Sequence, residues 1–325
     1  MGASSVLGSN LGSVSAVITN ATGNTFFTAT GKTTAFRISP TGAVSTIGSG
    51  FLNAAGIAVD STGRIYVADT GNNRVVRIAL NGTTTTVGTG LKAPKGLFIA
   101  SNGDLYVADS GNNRIVKITS AGVQSVLGTG FRAPSGVALD ATGFVYVADT
   151  GNNRVVKIGV FGVQTTIGTG YSSPTAISLD SAGSVYVADR ANNRIVKVTT
   201  AGVLSEIKAG FLNPSGVTVN AAGDLTIADT GNTRVIRIRA LPTATAGTGQ
   251  ATITWTAPSF NGGATITGYR VTTVGNPSKT CTTTGATSCL VTGLTKGVSY
   301  TFTVVAINEA GSSAASAATA AVTVN

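Results

Sequence analysis

Aspartate and arginine recur together along the chain: Asp69 with Arg74, Asp109 with Arg114, Asp149 with Arg154, Asp189 with Arg194 and Asp229 with Arg234. A carboxylate five residues before a guanidinium, with Gly and Asn between, suits a local ion pair closed over a turn. Five equivalent copies cannot all be one asymmetric active site, so these columns read as structural. Recognition chemistry should lie where the copies differ. Four basic residues outside the columns, Lys92, Lys95, Arg132 and Arg190, are the candidate ligand-binding residues. Lys92, Lys95 and Arg132 sit in equivalent loops of adjacent repeats, and Arg190 replaces a Thr or Ser found in the other strong repeats. Their chemistry is the holding of an anionic or polar partner.

The chain has no histidine. That excludes Ser-His-Asp and Cys-His nucleophile systems and His-ligated zinc, and it removes the commonest general base near neutral pH. The only glutamates are Glu206 and Glu309. No catalytic or metal-ligating residue is assigned, and the chain is expected not to be an enzyme. One ring of oxygens, Asn20, Asp60, Asp140, Asp180 and Asn220, could converge on calcium. Each Asp also begins an Asp-x-x-Gly turn that it would cap itself, and that reading is preferred, so no cofactor is called.

The formal net charge of +10 invites a nucleic-acid reading. A second column, Arg37, Arg77, Lys117, Lys157, Lys197 and Arg237, combines with the Asp and Arg columns to supply six of those ten charges. Aromatic residues do not interleave with the basic ones as single-strand binding would require. The charge therefore overstates any case for a polyanion.

These residues are positioned by a repeat of 40 residues. Val67 to Arg74 returns as Val107 to Arg114, Val147 to Arg154, Val187 to Arg194 and Ile227 to Arg234, with a weaker copy from Phe27 to Ile38. Self-similarity at such a period signals a propeller or solenoid. In the second repeat, strand a runs from Gly56 to Asp60, b from Arg64 to Asp69, c from Arg74 to Ala79 and d from Thr83 to Val87. The sixth repeat stops after strand c, near Ile238. Ser5 to Ser9 matches the strand d of another repeat, Ser125 to Thr129, so the N-terminus is expected to close the last sheet and pair its open edge. The expected fold is all-β: a six-bladed β-propeller of four-stranded blades over 1–240, followed by a second domain over 241–325.

The repeat resembles NHL repeats, in which a Gly-apolar-apolar-Asp strand precedes a Tyr-Val-Ala-Asp strand and an Asn-Arg turn. Repeat one departs from the pattern, with Ala29 in place of the Asp and Thr34 in place of the Arg. The resemblance implies a six-bladed propeller and no single activity, since such propellers bind protein or RNA or act as sensors. Related propellers that are metal-dependent hydrolases and lyases use His, Glu, Asn and Asp around the axial channel.

After Leu241-Pro242 the period ends. Strands are expected near Ala251–Thr256, Gly268–Val274, Cys289–Val291, Tyr300–Ile307 and Ala321–Val324, with Trp255 in the core. Leu294 to Tyr300 looks like a tyrosine corner. The segment resembles a bacterial fibronectin type III domain, a family of spacers and surface adaptors. Cys281 and Cys289, the only cysteines, flank an expected hairpin and are assigned as a cross-strand disulfide. Such a bond points to the cell exterior or cell surface.

From these features the chain is expected to be a non-catalytic extracellular scaffold. The propeller's loop face would recognise a protein or anionic glycan, with no membrane span. Further readings are a metal-dependent propeller hydrolase or lyase, nucleic-acid binding through the basic face, and head-to-tail self-association.

Overall fold

Ile65 to Asp69 shows how the repeat folds. Its β-branched and aromatic residues favour an extended chain, and all five are buried. Gly63, at φ 88°, makes the turn that leads in. At the far end a single 3₁₀ turn, Thr70–Asn72, is closed by Asn73 in the left-handed region at φ 55°. Asparagine tolerates that conformation better than most side chains, and Asn113, Asn153 and Asn193 take it in the next three repeats.

The computed structural model describes residues 4–221, 223–257, 265–309, 311–313, 315, 316 and 318–325. Six four-stranded antiparallel sheets form the blades of a propeller. Blade 1 comprises Val14–Thr19, Thr25–Ala29, Ala35–Ile38 and Val44–Ile47. Blade 2 comprises Ile57–Val59, Ile65–Asp69, Arg74–Ile78 and Thr84–Val87. Blades 3 to 5 repeat the order. Blade 6 takes Pro214–Val219, Leu225–Asp229 and Arg234–Ile238 from its own repeat and Ser4–Gly8 as its outer strand. The closure expected from the sequence is therefore present.

The core lies between blades as well as within them. Ala58, Tyr66 and Val75 of blade 2 pack with Leu91, Leu105, Val107, Val116 and Ile118 of blade 3. Blades 6 and 1 join in the same way through Ala228, Val235, Val14, Val17, Phe27 and Ile38. Burying each such aliphatic side chain contributes on the order of 1.5–3 kcal/mol. Tyr66, Tyr106 and Tyr146 each pack against the next blade, and the basic column of strand c lies over the tyrosines of this strand position. Lys197 Nζ stands 5.0 Å from the Tyr186 ring centre and Lys157 Nζ 5.3 Å from that of Tyr146.

In the C-terminal unit, one sheet holds Thr243–Gly247, Gln250–Thr254 and Ser288–Thr292. A second holds Asn276–Thr283, Ile266–Thr273, Phe302–Asn308 and Gly311–Ser312. The Tyr300 hydroxyl accepts the Thr295 N–H at 3.0 Å, which completes the tyrosine corner. Trp255 packs at the margin of the core, edge-on to Tyr269 at 5.2 Å. Cys281 and Cys289 are bonded, with Cα atoms 6.1 Å apart. They lie on strands of the two different sheets, so the bond staples the sandwich together rather than bracing one hairpin. Among the described residues no helix is long and apolar enough to cross a membrane.

Candidate functional site

The Asp–Arg columns are clamps. Asp149 is fully buried. It accepts hydrogen bonds from the backbone N–H of Arg132 (2.7 Å), the Asn152 amide (2.8 Å) and Arg154 Nε (2.7 Å). Arg154 also donates to the carbonyl of Gly130. Each clamp thus ties the loop before strand a to the turn after strand b. Asp69, Asp109, Asp189 and Asp229 repeat the arrangement.

The ring considered for calcium is also engaged. Asp140 Oδ1 accepts the N–H groups of Thr142 and Phe144, and its Oδ2 accepts the Tyr146 hydroxyl at 3.0 Å. Asp60 and Asp180 cap their own turns likewise. These bonds hold all three carboxyls below the usual carboxylate range, against burial, which pushes them up. Among the described residues no three His, Cys, Asp or Glu side chains gather where they could hold a metal ion.

At the propeller axis the innermost strands enclose a cavity of about 450 Å³. The walls approach closely because small residues stand where adjacent strands touch. A Cβ on Gly56 would lie 1.9 Å from the Lys95 carbonyl oxygen, and one on Gly96 would lie 2.4 Å from that of Ser135. The mouth on the side of the loops before strand a is ringed by hydroxyls. In three blades they form a pair: Ser15 with Thr30 (2.9 Å), Ser135 with Thr150 (2.8 Å) and Ser215 with Thr230 (2.6 Å). The Thr of this pair also joins blades. Thr150 donates to the Pro174 carbonyl at 2.6 Å, and Thr230 donates to that of Val14 at 2.6 Å, across the ring closure. Thr70 does the same to Pro94 at 2.7 Å.

Two blades break the pair with a cation. In blade 3 the Ser position holds Lys95, and in blade 5 the Thr position holds Arg190. Both line the cavity, and no Asp or Glu lines it. Neither side chain has a hydrogen-bonding or ion-pair partner among the described residues. Lys95 is the second residue of the strand Pro94–Ile99, half-buried rather than in the loop. Burial lowers its proton affinity first, and the nearby Arg190 charge lowers it further. Leu97, Phe98, Val137, Leu139 and Ile177 line the cavity as well. The arrangement therefore places an amine of lowered proton affinity near a guanidinium, with apolar side chains in the same walls.

The structure brings together Lys95 and Arg190 of the four predicted residues. Lys92 and Arg132 are exposed and do not line the cavity. Their backbone N–H groups serve the Asp109 and Asp149 clamps, and their side-chain stems lie over Gly111 and Gly151. Sequence reasoning missed the hydroxyl ring and Phe98. The signal for the ring was present: aligning Ser15, Ala55, Lys95, Ser135, Thr175 and Ser215 at the 40-residue period isolates Lys95.

Residues 4–238 match the model of the virginiamycin B lyase family, and residues 239–322 match that of the fibronectin type III domain. No curated protein shows significant sequence similarity to the chain. Among solved structures, a gluconolactonase from Xanthomonas campestris is similar at a TM-score of 0.65 and 15% identity, covering 73% of this chain and 89% of that one. A streptogramin B lyase is similar at 0.58 and 15%, covering 73% and 97%. A catalytically inactive histidine-to-alanine variant of virginiamycin B lyase from Staphylococcus aureus, with quinupristin, is similar at 0.57 and 17%, covering 90% and 99%. At these identities the structures establish the fold.

These findings correct the expectation of a non-catalytic extracellular scaffold recognising a protein or glycan, and with it the expectation that the chain is not an enzyme. The family that covers the propeller is a lyase family. The lack of histidine removes one kind of base and leaves another in the cavity lining: Lys95, whose proton affinity burial lowers.

Proposed function

The chain belongs to the virginiamycin B lyase family, and from that membership we propose that its propeller is a lyase of ester-bearing small molecules, working in the axial cavity with Lys95 as the base. The observation that carries this reading is the meeting of Lys95 and Arg190 as the two charged residues lining that cavity. The donor set does not fit the metal used by related propellers, because no His, Asp or Glu lines the cavity. No step is routed through one.

The chemistry follows from the amine of Lys95 and the guanidinium of Arg190. Unprotonated Lys95 takes a proton from the carbon next to a carbonyl. The C–H electron pair becomes a C=C bond, the neighbouring C–O bond breaks, and its pair leaves on oxygen. The Arg190 guanidinium meets that negative charge. The same base could instead activate water for hydrolysis. Lys95 is neutral only above its lowered pKa, so the rate should rise with pH through that value and then level. Arg190 is the other charged group facing it in the cavity.

The test is a panel of cyclic ester and lactone substrates, assayed for ring opening by mass spectrometry. Turnover of one class, lost by about 10²–10⁴-fold in Lys95→Met and reduced in Arg190→Ala, is the expected result. No turnover across the panel, or full activity in Lys95→Met, overturns the proposal. The Cys281–Cys289 bond supports placement outside the cytosol. A mass measurement on protein taken directly from its native compartment checks this, and two free thiols would refute it. The NHL-like character of the repeat describes the same strands at finer grain and adds no activity.

A further inference from the structure

An amine whose proton affinity is lowered by its surroundings is a nucleophile, as well as a base, in its unprotonated form. Lysines gain this reactivity when they are desolvated or stand next to another cation, and Lys95 meets both conditions. It is the only lysine lining the axial cavity, no carboxylate lines that cavity to stabilise its ammonium form, and Arg190 stands near. The guanidinium has a second consequence. With no acid of the protein to pair with, it is an open seat for a ligand carboxylate, which it can bind with two parallel N–H donors. Leu97, Phe98 and Ile177 in the same lining offer apolar contacts to the carbon skeleton of a ligand held there.

We propose that Lys95 captures small carbonyl compounds that carry a carboxylate, 2-oxo acids above all, as an imine on its Nζ, with Arg190 holding the carboxylate. The Nζ lone pair forms a C–N bond to the carbonyl carbon while the C=O π pair moves to oxygen. A proton passes from nitrogen to that oxygen. A second proton, taken from water, lets the oxygen leave as water, and the C=N bond forms. The hydroxide left behind takes up the remaining nitrogen proton if the imine is neutral. Nothing is oxidised or reduced. This inference goes beyond the lyase reading and rests on the cavity and its two cations, not on ester cleavage.

The test is reductive trapping of the full chain with pyruvate and cyanoborohydride near neutral pH, with propanal as the uncharged comparison. Hydride delivered to the imine carbon makes the adduct permanent, and peptide mass spectrometry locates it. The expected result is labelling of Lys95 several-fold faster than Lys92, Lys208 or any other lysine. Lys95→Met should abolish the fast phase. Arg190→Ala should slow capture of pyruvate but not of propanal. Labelling spread evenly over the surface lysines overturns the proposal, and an Arg190→Ala chain that captures pyruvate at the original rate overturns its carboxylate half. Because the readout is an adduct and not turnover, an absence of lyase activity would leave this result standing, and the converse also holds.

Discussion

The propeller contains two rings of polar residues that differ in how strictly they repeat from blade to blade. In the outer ring, the same Asp–Asn–Arg arrangement returns in blade after blade, with Arg154 Nε and Asp149 Oδ2 at 2.7 Å and the other four Arg–Asp pairs at the same distance. In the inner ring, at the cavity mouth, three Ser–Thr pairs are intact and two blades replace one member by a cation. The outer ring fixes each blade's own loop to its own turn, so every blade needs it equally. The inner ring faces a shared space, where one side chain serves the whole molecule. Blade 1 shows how the two uses separate. It lacks the clamp, having Ala29 and Thr34, yet it keeps the Ser15–Thr30 pair.

The contrast is broken most directly at Asp149. Replacing it with Ala leaves Arg154, Asn152 and the Arg132 N–H without their buried carboxylate acceptor, although Arg154 and Asn152 themselves reach solvent. With Arg154 partly exposed the cost falls below that of a fully buried ion pair, at about 1.5–3 kcal/mol, the worth of a hydrogen bond to a charged group. Chemical denaturation followed by far-ultraviolet circular dichroism should show a loss of that order in the propeller transition. A loss below the size of an exposed ion pair would mean that the clamp is not what the geometry says. Gly56→Ala should come next, at about 1–3 kcal/mol, the usual cost of an overpacked contact. Its added Cβ would meet the Lys95 carbonyl, so it should also displace Lys95 and lower activity. A stable Gly56→Ala protein with full activity would show that the inner ring tolerates widening.

The clamp ring was legible in the sequence because repetition is visible at a period of 40. The Asp and Arg columns, the strand limits to within a residue or two and the outer strand borrowed by blade 6 could all be read from it. The sandwich was less legible. Thr243–Gly247 and Asn276–Thr283 were missed because their Thr, Ser, Lys and Pro residues carry little apolar alternation, and their burial is correspondingly slight. The cysteines could be paired from spacing, but spacing alone could not show that their strands belong to facing sheets. At the cavity the sequence singled out Lys95 and Arg190 by different routes. It grouped Lys95 with Lys92 and Arg132 through charge and proximity. Only the strand geometry separates a side chain at the axis from one three residues earlier that lies over a turn.

Arg190→Thr sharpens the comparison, with the smallest stability change and the most informative sign. It would restore the residue that in blades 2, 4 and 6 donates to the next blade's first strand, as Thr150 does to Pro174 at 2.6 Å. One hydrogen bond regained is worth about 0.5–1.5 kcal/mol. Loss of the Arg190 charge also relieves Lys95, whose folded-state pKa is lowered. A lysine of that kind binds its proton less tightly folded than unfolded. It opposes folding fully below its folded pKa, and the opposition fades as pH rises from that value to the unfolded one. The gain from Arg190→Thr should therefore be largest below the folded-state pKa of Lys95 and shrink as pH rises above it. Scanning calorimetry at several pH values measures both parts. A more stable protein that no longer turns over substrate would identify Arg190 as a residue retained for chemistry at a cost in stability. A less stable one would mean that Arg190 makes a structural contribution of its own, and the inner ring would then be no different in kind from the outer.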